Sequence, residues 1–360
     1  AGAGEAEPFG AQGASGTLTG QNVWSGTIHV TGNLTLAPDA TLTVDPGTVI
    51  KSNQGVLLDF QGRVEARGTA EQPVIFTSWS DDSVGEDVSG AGTSAGVPGS
   101  WERLIFRAGA AGSVLEQVEL RYAGNRYSPG RGDGFTTALL LQGPDMTLTD
   151  VLLRDLDGGG VYITGGRPAL TRVRVEGARQ IAYEADIAAD PTLVDLIAVA
   201  TGLNGYQLNG GSIAADRTWS TGGLVLQLDG DVTINEGATL TIVPGQVVKF
   251  YEGAQINFNG RLLAQGTGTA PIVFTSYRDD SAGGDTNANG STGGGWGDWE
   301  ALYFNAGATG SVLEHVEVRY AGNRFSPGRS DGWRPALQLN AAALTVTDVL
   351  VRDADSTGVY

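Results

Sequence analysis

Two acidic loops hold the residue types best suited to chemistry. The second reads Asp279-Asp280-Ser-Ala-Gly-Gly-Asp285-Thr-Asn287-Ala-Asn289-Gly290, so oxygen-bearing side chains fall on alternate residues before a glycine. That spacing is how a calcium loop begins, with the glycine making the sharp turn. The twelfth position, counted from Asp285, is Trp296 and not the bidentate glutamate of a helix–loop–helix site, so other groups must complete the shell: Asp279, Asp280, Asp298 or Glu300. The first loop is poorer, with Asp81, Asp82, Glu86 and Asp87 but Ser-Gly-Ala in place of the Asn ligands. The sequence therefore predicts Ca2+ at Asp279, Asp280, Asp285, Asn287 and Asn289, and a weaker site at Asp81, Asp82 and Asp87. The plainer reading is a solvated glycine-rich loop, acidic because the whole chain is.

A second pattern is Arg121-Tyr122-Ala-Gly-Asn125-Arg126-Tyr-Ser-Pro-Gly-Arg131-Gly-Asp133, which returns as Arg319-Tyr320-Ala-Gly-Asn323-Arg324-Phe-Ser-Pro-Gly-Arg329-Ser-Asp331. Guanidinium groups, an aromatic face and Asn/Asp acceptors on one projecting loop suit a sugar or a carboxylate. The same residues also suit tying the loop to the wall beneath it through Arg–Asp pairs and Tyr packing, which is the preferred reading. The Arg-Gly-Asp tripeptide is accidental, since the second copy has Ser330. Arg121 with Arg154, and Arg319 with Arg352, take matching places and are expected to pair with acids such as Glu119 and Asp155, an arrangement worth little per pair. His29 and His315 do not correspond, so neither zinc nor a His-based triad is expected.

These residues sit on a duplication. Pro46 to Tyr162 returns as Pro244 to Tyr360 at a constant offset of 198 (Trp101 and Trp299, Arg121 and Arg319), without a gap and with about half of the positions identical. Trp24/Trp219 and Trp101/Trp299 correspond and read as core, while Trp296 and Trp333 are unmatched. A long period built from shorter ones marks a solenoid, in which stacked units bury faces none can bury alone. The expected organisation is a flexible Ala/Gly-rich segment over 1–20, a first long repeat over 21–211 and a second over 212–360. The second stops where Tyr162 stands in the first, so a continuation or a covering neighbour is expected. The start at Ala1 reads equally as a mature N-terminus or a cut end.

Composition narrows the class. The net charge of −18 argues against nucleic acid, which needs clustered Lys and Arg. There is no cysteine, hence no disulfide or thiolate metal site, and no apolar run long enough to span a membrane. The 56 glycines suit many short strands joined by tight turns.

The finer period is Leu-x-x-Val-x-(Leu/Val): Leu115/Val118/Leu120, Leu148/Val151/Leu153, Leu170/Val173/Val175 and Leu193/Leu196/Ala198, returning at Leu313/Val316/Val318 and Val346/Val349/Val351. Starts separated by 22 and 23 residues, with one gap of 33 that holds the Arg/Tyr loop, lack helical periodicity. Further strands are expected at Leu34–Leu36, Thr41–Val44, Val49–Lys51, Val56–Phe60, Val74–Thr77 and Leu104–Phe106, each bounded by Gly, Pro, Asn or Asp. The fold class is all-β: a right-handed, single-stranded parallel β-helix with coils of about 22 residues and inserted loops.

The run GNLTLAPDATLTVDPGTVIK, then GTAEQPVIFTS, the DD loop, W-E-x-L-x-F and LEQVELRYAG resembles bacterial secreted and cell-surface proteins with right-handed parallel β-helix repeats of the pectate-lyase-like superfold. Trp24 to Tyr360 carries the likeness. Such proteins often have a fuller D-T-N-G-D-G in the acidic loop. The resemblance implies the fold and an extracellular place. It does not choose an activity, because lyases, glycoside hydrolases, tailspikes and adhesins share the superfold. The expectation is a non-catalytic structural or adhesion module at the cell surface. Its expected partner is a cell-envelope component or polysaccharide, with end-to-end self-assembly open to it. The alternative is a secreted lyase or hydrolase of an acidic polysaccharide, which would differ from a module in having one copy whose groove departs from the other.

Overall fold

The computed structural model describes residues 11–124, 136–322, 334–340 and 342–360. Among them there is no α-helix, only single 3-10 turns at Ala108–Ala110 and Ala306–Ala308. The fold is all-β and its strands pair in parallel, with one isolated antiparallel bridge between Thr267 and Ala270. Two compact units divide the chain, residues 1–184 with 189–202, and residues 185–188 with 203–360.

In the first unit three ladders of inward residues run from strand to strand. One is Ile28, Ile50, Phe76, Leu120, Leu153 and Val175. A second is Leu34, Leu58, Leu104, Leu139 and Val161. The third is Val44, Ala66, Leu115, Leu148, Leu170 and Leu193. Each partner lies 22 to 26 residues on where the connection is short, as from Ile28 to Ile50, and 33 to 49 on where a loop intervenes, as from Leu115 to Leu148, Leu58 to Leu104 or Ala66 to Leu115. The side-chain period of two explains why these residues vanish from the surface together: every second residue of a strand points inward. The second unit repeats the ladders as Leu226, Val248, Phe274, Val318 and Val351, and as Val232, Ile256, Leu302 and Leu337. Phe60 and Phe106 pack at 4.9 Å between ring centres, and Phe258 and Phe304 at 4.7 Å.

The Leu-x-x-Val spacing has a backbone cause. The residue just before each Val (or Leu196) adopts a left-handed conformation: Gln117, Asp150, Arg172 and Asp195 in the first unit, His315 and Asp348 in the second, all with φ between 47° and 54°. Five residues later a second such corner follows at Tyr122, Asp155, Gly177, Ala200, Tyr320 and Asp353. For a non-glycine residue that conformation costs about 1–2 kcal/mol, so each corner must be held by the strands on either side.

Two strands pair across the expected segment limits. Residues 12–18 of the segment read as flexible form a strand, Gln12–Leu18, which pairs with Thr27–Leu36 from Gln12/Ile28 to Leu18/Leu36 and bulges between Ala14 and Gly16. An Ala/Gly-rich stretch has little side-chain signal, but an adjacent open strand edge supplies the hydrogen bonds. The repeat boundary expected at 211/212 falls inside Leu203–Ile213, whose residues pair with Leu226–Ile234 in the second unit. The strands expected between Leu34 and Phe106 are all present, within one or two residues at most ends and longer at Thr27–Leu36.

Candidate functional site

The acidic loops leave the sheet after Val74–Ser78 and Ile272–Ser276 and return at Arg103–Arg107 and Leu302–Phe304. In each, the first aspartate turns inward. Asp81 is fully buried and accepts hydrogen bonds from Thr77 Oγ1 (2.6 Å), Ser83 Oγ (2.5 Å), Ser83 N (3.2 Å) and Arg121 Nη1 (3.4 Å). Asp279 does the same with Thr275 (2.6 Å), Ser281 Oγ (2.5 Å), Ser281 N (3.1 Å) and Arg319 Nη1 (3.1 Å). Burial alone pushes both carboxyls up, but the serine and threonine hydroxyls and the arginine outweigh it and hold them below the ordinary aspartate value.

The arginines continue the network. Arg121 Nη2 donates to Glu119 at 2.7 Å, Arg154 Nε also donates to Glu119, and Arg154 Nη1 meets Asp155 at 2.8 Å. In the second copy Arg319 donates to Glu317 at 2.6 Å, Arg352 joins Glu317, and Arg352 meets Asp353 at 2.7 Å. Burial raises Glu119 and Glu317, and the two arginines reverse that so that both sit low. The matched arginines thus alternate with acids.

The second aspartate of each pair closes its loop. Asp82 accepts from Ser94 N (2.9 Å) and Oγ (2.7 Å), and Asp280 from Thr292 N (2.6 Å) and Oγ1 (3.1 Å). Beneath each lies a fully buried lysine that the sequence reading missed. Lys51 Nζ donates to the Glu86 carbonyl (2.5 Å) and lies 3.7 Å from Asp82. Lys249 Nζ donates to the Gly284 carbonyl (2.7 Å) and Thr286 Oγ1 (3.1 Å) and lies 4.0 Å from Asp280. Burial pulls both ammonium groups below the ordinary lysine value against the attraction of the aspartates. Lys51 and Lys249 occupy corresponding positions in the strands Val49–Ser52 and Val247–Phe250, a signal visible in the repeat.

The remaining expected calcium ligands sit nearer the loop tips. Asp87 accepts from Ser89 N, Ser89 Oγ, Gly90 N and Gly92 N at 2.8–3.0 Å, which holds its carboxyl low. Asp285 accepts from Asn289 N (3.3 Å) and Gly290 N (3.0 Å), Asn287 donates to the Tyr277 carbonyl (3.2 Å), and Asn289 accepts from Thr292 (3.3 Å). Asp298 is engaged by Ser276 Oγ (2.5 Å) and Arg278 (3.2 Å). Among the described residues no group of three His, Asp or Glu side chains is placed to hold a metal ion.

Of the Arg/Tyr loop, only the base is described. Asn125, Arg126, Arg131, Asp133, Asn323, Arg324, Arg329 and Asp331 lie outside the described residues. At the base, Tyr122 and Tyr320 stand at φ 60° and 61°, each covering a glycine of the acidic loop. A Cβ at Gly96 would lie 2.2 Å from the Tyr122 ring, and one at Gly294 2.4 Å from Tyr320. Burial, with Asp81 or Asp279 nearby, raises both phenols. Trp101 and Trp299, wholly buried, donate Nε1–H to the carbonyls of Arg121 and Arg319 at 2.8 Å.

One place breaks the likeness of the copies. In the second unit a cleft of about 370 Å3 opens on the outward face of three successive strands, where Asn257, Tyr303 and Gln338 stand in register. Asn305, Asn340 and Gln255 extend it, and Arg334 borders it, donating to Tyr303 OH (2.6 Å) and lying 3.6 Å from the buried Glu300. The corresponding first-unit residues are Asp59, Ile105 and Leu140, with Arg107 and Gln142 in place of Asn305 and Asn340. There Arg107 forms a two-point ion pair with Asp59 (2.9 and 3.1 Å) and donates to Gln142.

No protein-family model, no curated protein and no solved structure matches this chain. What the fold defines is a large, mostly parallel all-β protein. No helix among the described residues is long and apolar enough to cross a membrane.

Proposed function

We propose that this chain is a non-catalytic, exported module: a right-handed parallel β-helix of about 22-residue coils that works at the cell surface in adhesion or envelope structure. The observation that carries the reading is the repeated lattice Thr–Asp–Arg–Glu–Arg. Thr77, Asp81, Arg121, Glu119 and Arg154 recur as Thr275, Asp279, Arg319, Glu317 and Arg352 with the same donors and acceptors. Duplication of a loop-holding network suits display, where two identical mounts are useful. It does not suit proton transfer. A general acid or base works best with its pKa near the operating pH, whereas each carboxylate with a resolved shift in the described residues moves down. Parallel partners 22 to 26 residues apart where no loop is inserted, three ladders to a period, support the β-helix.

Calcium enters this reading as a stiffener of the second loop's tip, through Asp285, Asn287 and Asn289. Asp279 is an unsuitable ligand because its acceptor capacity is already engaged. The rival reading, a secreted enzyme on an acidic polysaccharide, draws on the asymmetry of the copies at the cleft, but the near-neutral lining there gives a polyanion little to bind.

The test is incubation with purified cell-envelope material and with uronate-containing and neutral polysaccharides, with and without calcium. Sedimentation of bound protein, new reducing ends and unsaturated-uronate absorbance are read together. Retention without chain cleavage is expected. Cleavage of any polymer overturns the non-catalytic assignment, and failure to bind envelope material or polymer in either condition overturns adhesion.

A further inference from the structure

The amides of the second-unit cleft form a directed chain. Gln338 Nε2 donates to Asn340 Oδ1 (2.9 Å), Asn340 Nδ2 to Asn305 Oδ1 (3.0 Å), and Asn305 Nδ2 to Asn259 Oδ1 (2.9 Å). An amide nitrogen carries two hydrogens and its oxygen two lone pairs, so among the described residues each of these three nitrogens keeps one N–H and Gln338 Oε1 keeps its full acceptor capacity. Asn257, half-buried beside them, makes no side-chain hydrogen bond among the described residues. The cleft thus presents paired donors and acceptors at fixed spacing on a rigid sheet, within the size range of small-ligand pockets.

Its charge is close to neutral. Arg334, the one cation lining it among the described residues, lies 3.6 Å from the Glu300 carboxylate and donates to Tyr303 OH. The chain around it carries −18. A polyanion gains little here and is repelled at longer range. Vicinal hydroxyls, which each donate and accept, match side-chain amides in both roles.

We propose that the cleft lined by Asn257, Tyr303, Asn305, Gln338 and Asn340 binds a neutral glycan chain, and that the first unit cannot, because its Asp59–Arg107 ion pair saturates the same place. The inference goes beyond the surface-module reading by naming a ligand class and one of the two copies as the binder.

The first unit supplies its own test. Asn257→Asp with Asn305→Arg writes the Asp59–Arg107 pair into the second unit, at positions where the fold already accepts it. Binding is measured by isothermal titration against neutral glucose and mannose hexasaccharides and against hexagalacturonate, with reducing ends followed in the same samples. The unaltered chain is expected to bind at least one neutral hexasaccharide and to bind hexagalacturonate at least tenfold more weakly. The double variant is expected to lose at least tenfold in affinity while keeping its urea midpoint, and Asn257→Ala to weaken binding with the same midpoint. Asp59→Asn with Arg107→Asn is expected to leave binding unchanged. The site is overturned if no neutral hexasaccharide binds, if hexagalacturonate binds as well, or if the double variant binds undiminished. Cleavage of a bound hexasaccharide would uphold the site while overturning the non-catalytic assignment, so the two fail separately.

Discussion

Removing the Asp279 carboxylate tests whether the acidic loops are held by protein cations. In Asp279→Ala the fully buried Thr275 hydroxyl and the Ser281 hydroxyl lose their acceptor, and Arg319 loses a partner at 3.1 Å. Breaking a buried ion pair by deleting one member costs about 3–5 kcal/mol, since the other charge stays desolvated. Arg319 retains Glu317 at 2.6 Å, which places the expected loss at the lower end, about 3 kcal/mol. With urea slopes of about 1–3 kcal/mol/M, the midpoint should fall by about 1 M or more. Tryptophan fluorescence is a local reporter: Trp299 stacks on Phe250 at 3.9 Å and hydrogen-bonds the backbone of Arg319 itself. Asp81→Ala should cost the same within about 1 kcal/mol, because its lattice has the same members, though adjoining residues differ. Two results would refute the reasoning. One is a loss under about 1 kcal/mol in both variants. The other is a wild-type midpoint that rises with calcium and loses that response in Asp279→Ala, which would make the carboxylate a metal ligand.

Three further outcomes follow from the same contacts. Gly96→Ala and Gly294→Ala force a methyl group into a tyrosine ring, so each should cost about 1–3 kcal/mol and speed proteolytic cutting within its acidic loop. Asp81, Asp279, Glu119 and Glu317 are more acidic folded than unfolded, so their stabilisation is complete above the unfolded values near 4 and is lost as pH falls through the folded ones. Urea midpoints should be level from about pH 5 to 7 and fall below about pH 4; a midpoint that rises on acidification would contradict this. At the exposed corner, Arg172 and Asp150 meet at 2.6 and 2.8 Å, yet a double-mutant cycle should return less than about 1 kcal/mol because solvent screens the pair.

Much of the backbone was legible in the residues. Leu115, Leu148, Leu170 and Leu193, chosen by spacing alone, are register partners, because alternation and β-branching are local properties that any coil shows on its own. Pairing of Arg121 and Arg154 with Glu119 was legible too, since neighbouring strands in register bring matched positions together. The weak spots were places where side chains say little. Gln12–Leu18 looked flexible because its small residues carry no pattern, yet a neighbouring strand edge orders it.

The sequence by itself determined the duplication, the strand positions and the inward residues. Only the tertiary structure decided what the polar residues do. The buried Lys51 meets the acidic loop at the Glu86 carbonyl, 35 residues on, and so sets a positive charge beneath Asp82. Asn257, Tyr303 and Gln338 are separated by 46 and 35 residues, and become one surface because loops of unequal length still return each strand to the same register. That return depends on the whole stack of hydrogen-bonded strands, which no window of sequence contains.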